Sequence, residues 1–159
     1  MNVVQYSESY RNALNQLVEL LQDYEKTLSD DRAPGFEVAS DFFDYMLKDC
    51  RDSNGDIYVA IEGSTVLGFV SVYIEREDEG DCHLLEEYKT FGVISDLAVF
   101  KKYRHQGVAA ALLEQAEQHC KSRNLKRVKI SFLAQNRAAE SVYRKFGFSD
   151  YEITYEKRI

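Results

Sequence analysis

The chain has 159 residues, 45% of them hydrophobic and 30% charged, and its 20 Lys and Arg against 27 Asp and Glu leave a net charge of −7. That length suits one domain, 1–159, with a core of its own; the composition excludes a disordered chain, and no apolar run approaches the roughly 18 residues that a membrane span needs. The acidic balance argues against a nucleic-acid backbone as the main partner and mildly favours a cationic one.

Cys50, Cys82 and Cys120 are odd in number, widely spaced and free of any CxxC, so reduced thiols are expected and no metal. The start, MNVVQYSESYRNAL, lacks the basic residues and apolar block of a secretory signal. The cytoplasm is the expected compartment.

In chain order, Asn2 to Tyr6 reads as a first strand, and Ser7 as the N-cap of an amphipathic helix with a stripe of Ala13, Leu14, Leu17, Val18, Leu21 and Tyr24. The turn Asp30-Asp31-Arg32-Ala33-Pro34-Gly35 separates it from a second helix over roughly Glu37 to Lys48. Asp23, Tyr24, Asp30, Asp31 and Phe36 are candidates to line a cleft for an amine, against the simpler reading of a solvated helix end. Asp56–Ile61 and Val66–Glu75, joined by Glu62-Gly63-Ser64-Thr65, read as a hairpin. A charged connection from Glu75 to Tyr88 leads to a strand from Phe91 to Val99. After a helix and a turn at Arg123-Asn124-Leu125, Val128, Ile130 and Phe132 alternate with Lys129 and Ser131 as a strand with one buried face. A helix capped by Asn136 ends before Gly147, and a last strand is predicted over Tyr151 to Lys157. This order indicates an α/β (α+β) sandwich around a mixed sheet. Lys121, Arg123, Lys126, Arg127 and Lys129 read as a helix end and solvated strand residues, or as the seat of a terminal phosphate of a cofactor.

The most chemistry lies between Ile94 and Leu113, ISDLAVFKKYRHQGVAAALL, where an apolar strand runs through a basic loop into a small-residue helix. A helix start leaves about four N–H groups unpartnered and concentrates positive potential, which suits a phosphate or pyrophosphate. Gly107 lets a backbone come close, and Lys101, Lys102 and Arg104 add full charges. The loop matches neither GxxxxGK[ST] nor GxGxxG.

Arg104-His105-Gln106-Gly107-Val108-Ala109 fits RxxGxA, and Asn136 to Phe148, NRAAESVYRKFGF, fits NxxAxxxYxKxGF at every specified position. On these two motifs the sequence resembles the GNAT superfamily of acyl-CoA-dependent N-acetyltransferases. The resemblance is specific over Ile94 to Phe148 and thin before residue 55. It implies a GNAT-like mixed central β-sheet flanked by helices on both faces, with acetyl-CoA as cosubstrate and an amine acceptor. Arg104, His105, Gln106, Gly107, Val108, Ala109 and Ala110 would hold the pyrophosphate. Backbone groups near Leu97 and Val99 would meet the pantetheine arm and thioester carbonyl if the strand splays open, and Asn136 would bond the arm in addition to capping its helix. Tyr143 would be the general acid; from spacing alone it reads as a core aromatic beside Ala139, Val142 and Phe146.

The residues themselves add Asp96, the one ionisable side chain within its strand. Flanked by Ile94, Leu97 and Ala98, it should have a raised pKa unless it is paired, which suits a general base. The alternatives are a hydrogen-bonded structural aspartate and a water chain to Glu75 or to an acid of the first helices. His105, on the pyrophosphate end, is given no catalytic role, and His83 and His119 are assigned none. The expected function is transfer of an acetyl group to a primary amine, the acceptor being a small or flexible cation; the alternative is an acyl-CoA-binding sensor on the same scaffold. No nucleic-acid or membrane partner is expected, and a homodimer is left open.

Overall fold

A computed structural model describes residues 1–159. Its elements are β1 (Asn2–Gln5), α1 (Arg11–Leu28), α2 (Gly35–Asp52), β2 (Asp56–Glu62), β3 (Thr65–Arg76), a short α3 (Glu86–Lys89), β4 (Thr90–Val99), α4 (Val108–Lys121), β5 (Val128–Ile130) and α5 (Arg137–Phe146). The five strands lie in sequence order in one mixed sheet. The first four are antiparallel, and β5 runs parallel to β4.

Strand alternation divides the core into two clusters, because successive side chains point to opposite faces. Ile57 and Val59 of β2 pack with Leu14, Leu17 and Val18 of α1 and Phe43 and Met46 of α2. Tyr58 and Ala60 face the other way, onto Leu112, Leu113 and Ala116 of α4 and Tyr143 of α5. Helices therefore cover both faces. The buried residues of α1 sit at helical spacing, as an amphipathic stripe requires, and Gly35 lets α2 begin against α1, since a Cβ there would collide with the Glu19 carbonyl oxygen.

Two β-bulges change which face a residue meets. In β3 the register shift against Ala60 and Ile61 leaves Leu67 as the extra residue, so Val66 joins the α1–α2 cluster and Leu67 the α4 cluster. In β4 the pairing jumps from Ile94↔Val72 to Asp96↔Ser71, which makes Ser95 the extra residue. Ile94 faces α4, whereas Ala98, four residues on, faces α1 and α2; only an inserted residue lets two even-spaced positions do this.

Several expectations are corrected. Ser7 caps no helix: its hydroxyl meets that of Ser9 (2.7 Å), a 3-10 turn over Glu8–Tyr10 intervenes, and α1 begins at Arg11. α2 begins two residues earlier than expected and runs on to Asp52. β5 stops at Ile130, and Phe132 turns toward Tyr143, ring centroids 5.4 Å apart. The predicted last strand over Tyr151 to Lys157 does not form. There the Arg127 guanidinium bonds the Tyr151 hydroxyl (2.8 Å), and Arg158 carries the chain end to Asp30. Arg127 and Lys129 are not solvated strand residues either, because both pair with Glu77 (2.9 and 2.7 Å) and lie over the Phe91 ring. No helix is long and apolar enough to cross a membrane.

Candidate active site

The site forms where β4 leaves β5. The two strands pair only over Gly92–Ile94 and Val128–Ile130; beyond Ile94, β4 is paired with β3 alone. The Asp96 and Phe100 N–H groups point to β3, donating to Ser71 Oγ (3.1 Å) and to the Leu67 carbonyl (3.0 Å). By alternation the backbone of Leu97 and Val99 faces the opened edge, where the Val99 carbonyl accepts a bond from Arg104 Nε (3.1 Å).

The loop after β4 is a 3-10 turn, Lys101–Tyr103, followed by Arg104 to Gly107. Gly107 adopts φ +81°, and a Cβ at this position would meet nothing within 4 Å. The left-handed φ favours glycine, and the open space leaves room above it. The first intrahelical bond of α4 runs from the Ala111 N–H to the Gly107 carbonyl (3.0 Å), so the N–H groups of Val108, Ala109 and Ala110 find no backbone acceptor. Lys101, Lys102, Arg104, His105 and Gln106 are exposed around them, and Val108 is buried as the anchor. Gln106 ties the turn by donating to the Lys102 carbonyl (2.9 Å). These features suit a pyrophosphate: unpaired donors, a helix N-terminus and cations on one loop.

Asn136 is buried, and its Oδ1 accepts from the Ala139 N–H (3.0 Å), so the cap is made. Two turns along α5, Tyr143 is 8% exposed, between Phe132 and Phe148. Burial, with Asp96 and Glu25 adding to it, pushes its hydroxyl up to about 12. Tyr143 is thus a core aromatic whose hydroxyl stays protonated at neutral pH.

Asp96 belongs to that far side. The bulge at Ser95 turns it onto the α1–α2 face, where it lines a cavity of about 410 Å³ with Glu25, Arg32, Tyr45, Asp49, Tyr73 and others. Burial raises its pKa to about 6; the Ser95 and Ser71 hydroxyls oppose the rise and the Glu25 charge adds to it. Glu25 is itself raised, chiefly by burial, although Arg32 opposes this. The Ser71 hydroxyl, fully buried, meets Ser95 Oγ at 2.7 Å and takes the Asp96 N–H, so it holds the bulge. Glu75, the alternative relay partner, is exposed and does not line the cavity.

Sequence reasoning missed the residues that make this cavity. None of Asp23, Tyr24, Asp30, Asp31 and Phe36 lines it. Asp23 caps α2 by accepting from the Gly35 N–H (2.7 Å), Asp30 pairs with Arg158, Asp31 accepts from Ser29, and Phe36 is 74% exposed. The cavity is formed by their neighbours Glu25 and Arg32, and by Phe42, Tyr45, Met46 and Asp49 on one stripe of α2. That i, i+3, i+4, i+7 spacing was the available signal. His119 is a second omission. It is 3% exposed; its Nε2–H donates to the Asn54 carbonyl (3.0 Å), so its Nδ1 accepts from the Tyr58 hydroxyl (2.9 Å), and burial lowers its pKa. It ties α4 to β2 and lies outside the site.

A profile of the acetyltransferase (GNAT) family matches residues 14–148. An uncharacterised N-acetyltransferase of Methanocaldococcus jannaschii is 25% identical over 114 residues, covering 70% of this chain and 46% of that protein. The chain spans less than half the length of the curated relatives it matches. Among solved structures, a mutant Bacillus halodurans protein superposes with a TM-score of 0.84 at 14% identity, over 100% of this chain and 99% of that one. An aminoglycoside N-acetyltransferase in complex with CoA gives 0.69 at 17% identity, over 99% and 95%. At these identities the structural likeness is one of fold.

Proposed function

Because the chain belongs to the acetyltransferase (GNAT) family, we propose that it transfers an acetyl group from acetyl-CoA to a primary amine of a small-molecule or peptide acceptor, by direct attack in a ternary complex. The observation that carries this reading is the extra residue in β4. It turns the Asp96 carboxylate to a cavity on one face of the sheet, while Leu97 and Val99 present backbone to the opened edge. One strand can then serve an acceptor on one side and a thioester on the other. The aminoglycoside N-acetyltransferase that binds CoA has the same fold, which supports the choice of donor.

On the donor side, the N–H groups of Val108 to Ala110, the open Gly107 and the charges of Lys101, Lys102 and Arg104 take the pyrophosphate. His105 and Gln106 shape the loop. The Leu97 and Val99 backbone bonds the pantetheine arm, and a Leu97 or Val99 N–H stabilises the negative charge that develops on the carbonyl oxygen. Asn136 contributes its side-chain NH₂, which its cap leaves free.

On the acceptor side Asp96, with a pKa of about 6, is ionised at neutral pH and takes a proton from the ammonium. The nitrogen then forms its bond to the acetyl carbon as the carbon–sulfur bond breaks. The second proton shed by nitrogen balances the one that Tyr143 delivers to sulfur. Its burial raises the proton affinity of a thiolate in the same place as it raises that of the hydroxyl, so the two stay matched.

The test is thiol release from acetyl-CoA across a panel of primary amines, with mass detection of the product. An acetylated amine formed in step with free thiol supports the reading. Binding of acetyl-CoA without turnover of any amine contradicts it and favours an acyl-CoA sensor.

A further inference from the structure

The cavity beneath the bulge has a charge pattern that a single ammonium does not satisfy. Its lining holds three carboxylates, Glu25, Asp49 and Asp96, against one guanidinium, Arg32, a balance of −2 when all are ionised. None of the nearby cations pairs with Asp49 or Asp96. Arg32 stands between Glu25 (3.7 Å) and Asp31 (3.8 Å), Lys48 turns outward to Asp52 (2.8 Å), and Arg158 bonds Asp30.

Asp49 is a carboxylate without a partner. It is half-buried, and it makes no side-chain hydrogen bond or ion pair to any protein group, unlike Asp44 and Asp52 of the same helix. Its carboxylate is free to pair with a cation that enters the cavity. It sits one turn beyond Tyr45 on the cavity side of α2, and Tyr73 closes the wall from β3. Asp49 and Asp96 both act on the Tyr73 hydroxyl, which burial first, and then Glu75 and these two carboxylates, push up to about 12. Tyr73 lines the same cavity as both. An aromatic wall beside an anion is suited to an alkylammonium, through the ring face and the charge together.

Resting on the acetyl-transfer reading, we infer that the acceptor is a dication, a primary amine carrying a second ammonium several bonds away. Asp96 receives the reacting nitrogen, and Asp49, with Tyr45 and Tyr73, receives the distal one. Asp49 is then a specificity-determining residue that does not touch the reacting atoms. A volume of about 410 Å³ admits an extended aliphatic diamine with water around it.

The experiment compares 1,4-diaminobutane with n-butylamine, which differ only in the distal nitrogen. It measures kcat/KM for each and calorimetric binding of the diamine without acetyl-CoA, in the parent, Asp49→Asn and Asp49→Glu. Asp49 is half-exposed at the surface of α2, so the variants should fold, and thermal melts check this. The parent should prefer the diamine at least about tenfold, the scale of one well-placed charge contact. Asp49→Asn should bring the preference to within about twofold, mainly through KM, and Asp49→Glu should restore part of it. Acetylation of both amines at equal kcat/KM, or a preference that survives in Asp49→Asn, overturns the inference and leaves acetyl transfer standing. Diamine binding that depends on Asp49 without acetylation of any amine overturns acetyl transfer and supports the dication site. Neither binding nor acetylation overturns both.

Discussion

Ser71 and Asp96 are joined across the β3–β4 ladder by a side chain rather than by backbone alone: the Asp96 N–H donates to the Ser71 hydroxyl at 3.1 Å, at the point where Ser95 is extruded. A bulge leaves a backbone donor without its ladder partner, and this fully buried serine supplies one.

Ser71→Ala should therefore cost more than a methyl-sized change. The Asp96 N–H would be left unsatisfied, a loss of about 1–3 kcal/mol, and the extruded Ser95 would lose the hydroxyl it meets at 2.7 Å, loosening the bulge that aims Asp96. Denaturant unfolding should show that loss, and kcat should fall several-fold. Unchanged stability would mean that the bulge holds itself.

The Asp96 carboxyl should act in opposite directions on stability and on the proposed activity. Its folded pKa of about 6 lies above an unfolded value near 3.9. The folded state thus binds more protons between those values, and the contribution to stability is full below about 3.9 and lost as pH rises through about 6. At neutral pH Asp96→Asn should accordingly stabilise the protein, by roughly 1–3 kcal/mol. In the parent, kcat/KM should climb with pH through about 6 as the base ionises; the variant should lack that limb and most of the activity. Melts and pH–rate profiles on the two proteins check both signs.

Gly107→Glu isolates the donor loop. Because the position is open around the missing Cβ, the substitution should cost only the left-handed φ, about 1 kcal/mol, while the new carboxylate repels the phosphates. Calorimetry should find a folded protein whose affinity for acetyl-CoA has dropped at least about tenfold. Unchanged affinity would place the pyrophosphate elsewhere.

Much of this was legible in the residues, for local reasons. The α1 stripe, the β2–β3 hairpin, the Asn136 cap and Gly147 at the end of α5 each depend on neighbours within a few positions. What was not legible depends on distant partners. Alternation along ISDLAVF gives no sign that Ser95 is extra, because the register is set by β3. Tyr151 to Lys157 alternates like a strand, yet Arg127 draws Tyr151 to itself and Arg158 pulls the chain end to Asp30. His119 reads as a helix-end polar residue, and its burial follows from Tyr58, 61 positions away. The acids singled out ahead of β4 do not line the cavity: helix phase puts Glu25 there and leaves Asp23 to cap α2.

In the proposed mechanism Asp96 of β4, from one face of the sheet, and Tyr143 of α5, from the other, serve the same reacting atoms. Tyr143→Phe tests it most directly, since it keeps the ring among Phe132 and Phe148 and removes only the hydroxyl. The measurement is kcat at saturating acetyl-CoA and amine, with the acetyl-CoA dissociation constant determined alongside. In the Phe variant kcat should fall by roughly 10²-fold or more while the dissociation constant stays within about twofold. A kcat within a few-fold of the parent would contradict it, and would make Tyr143 a packing residue whose proton is supplied from elsewhere.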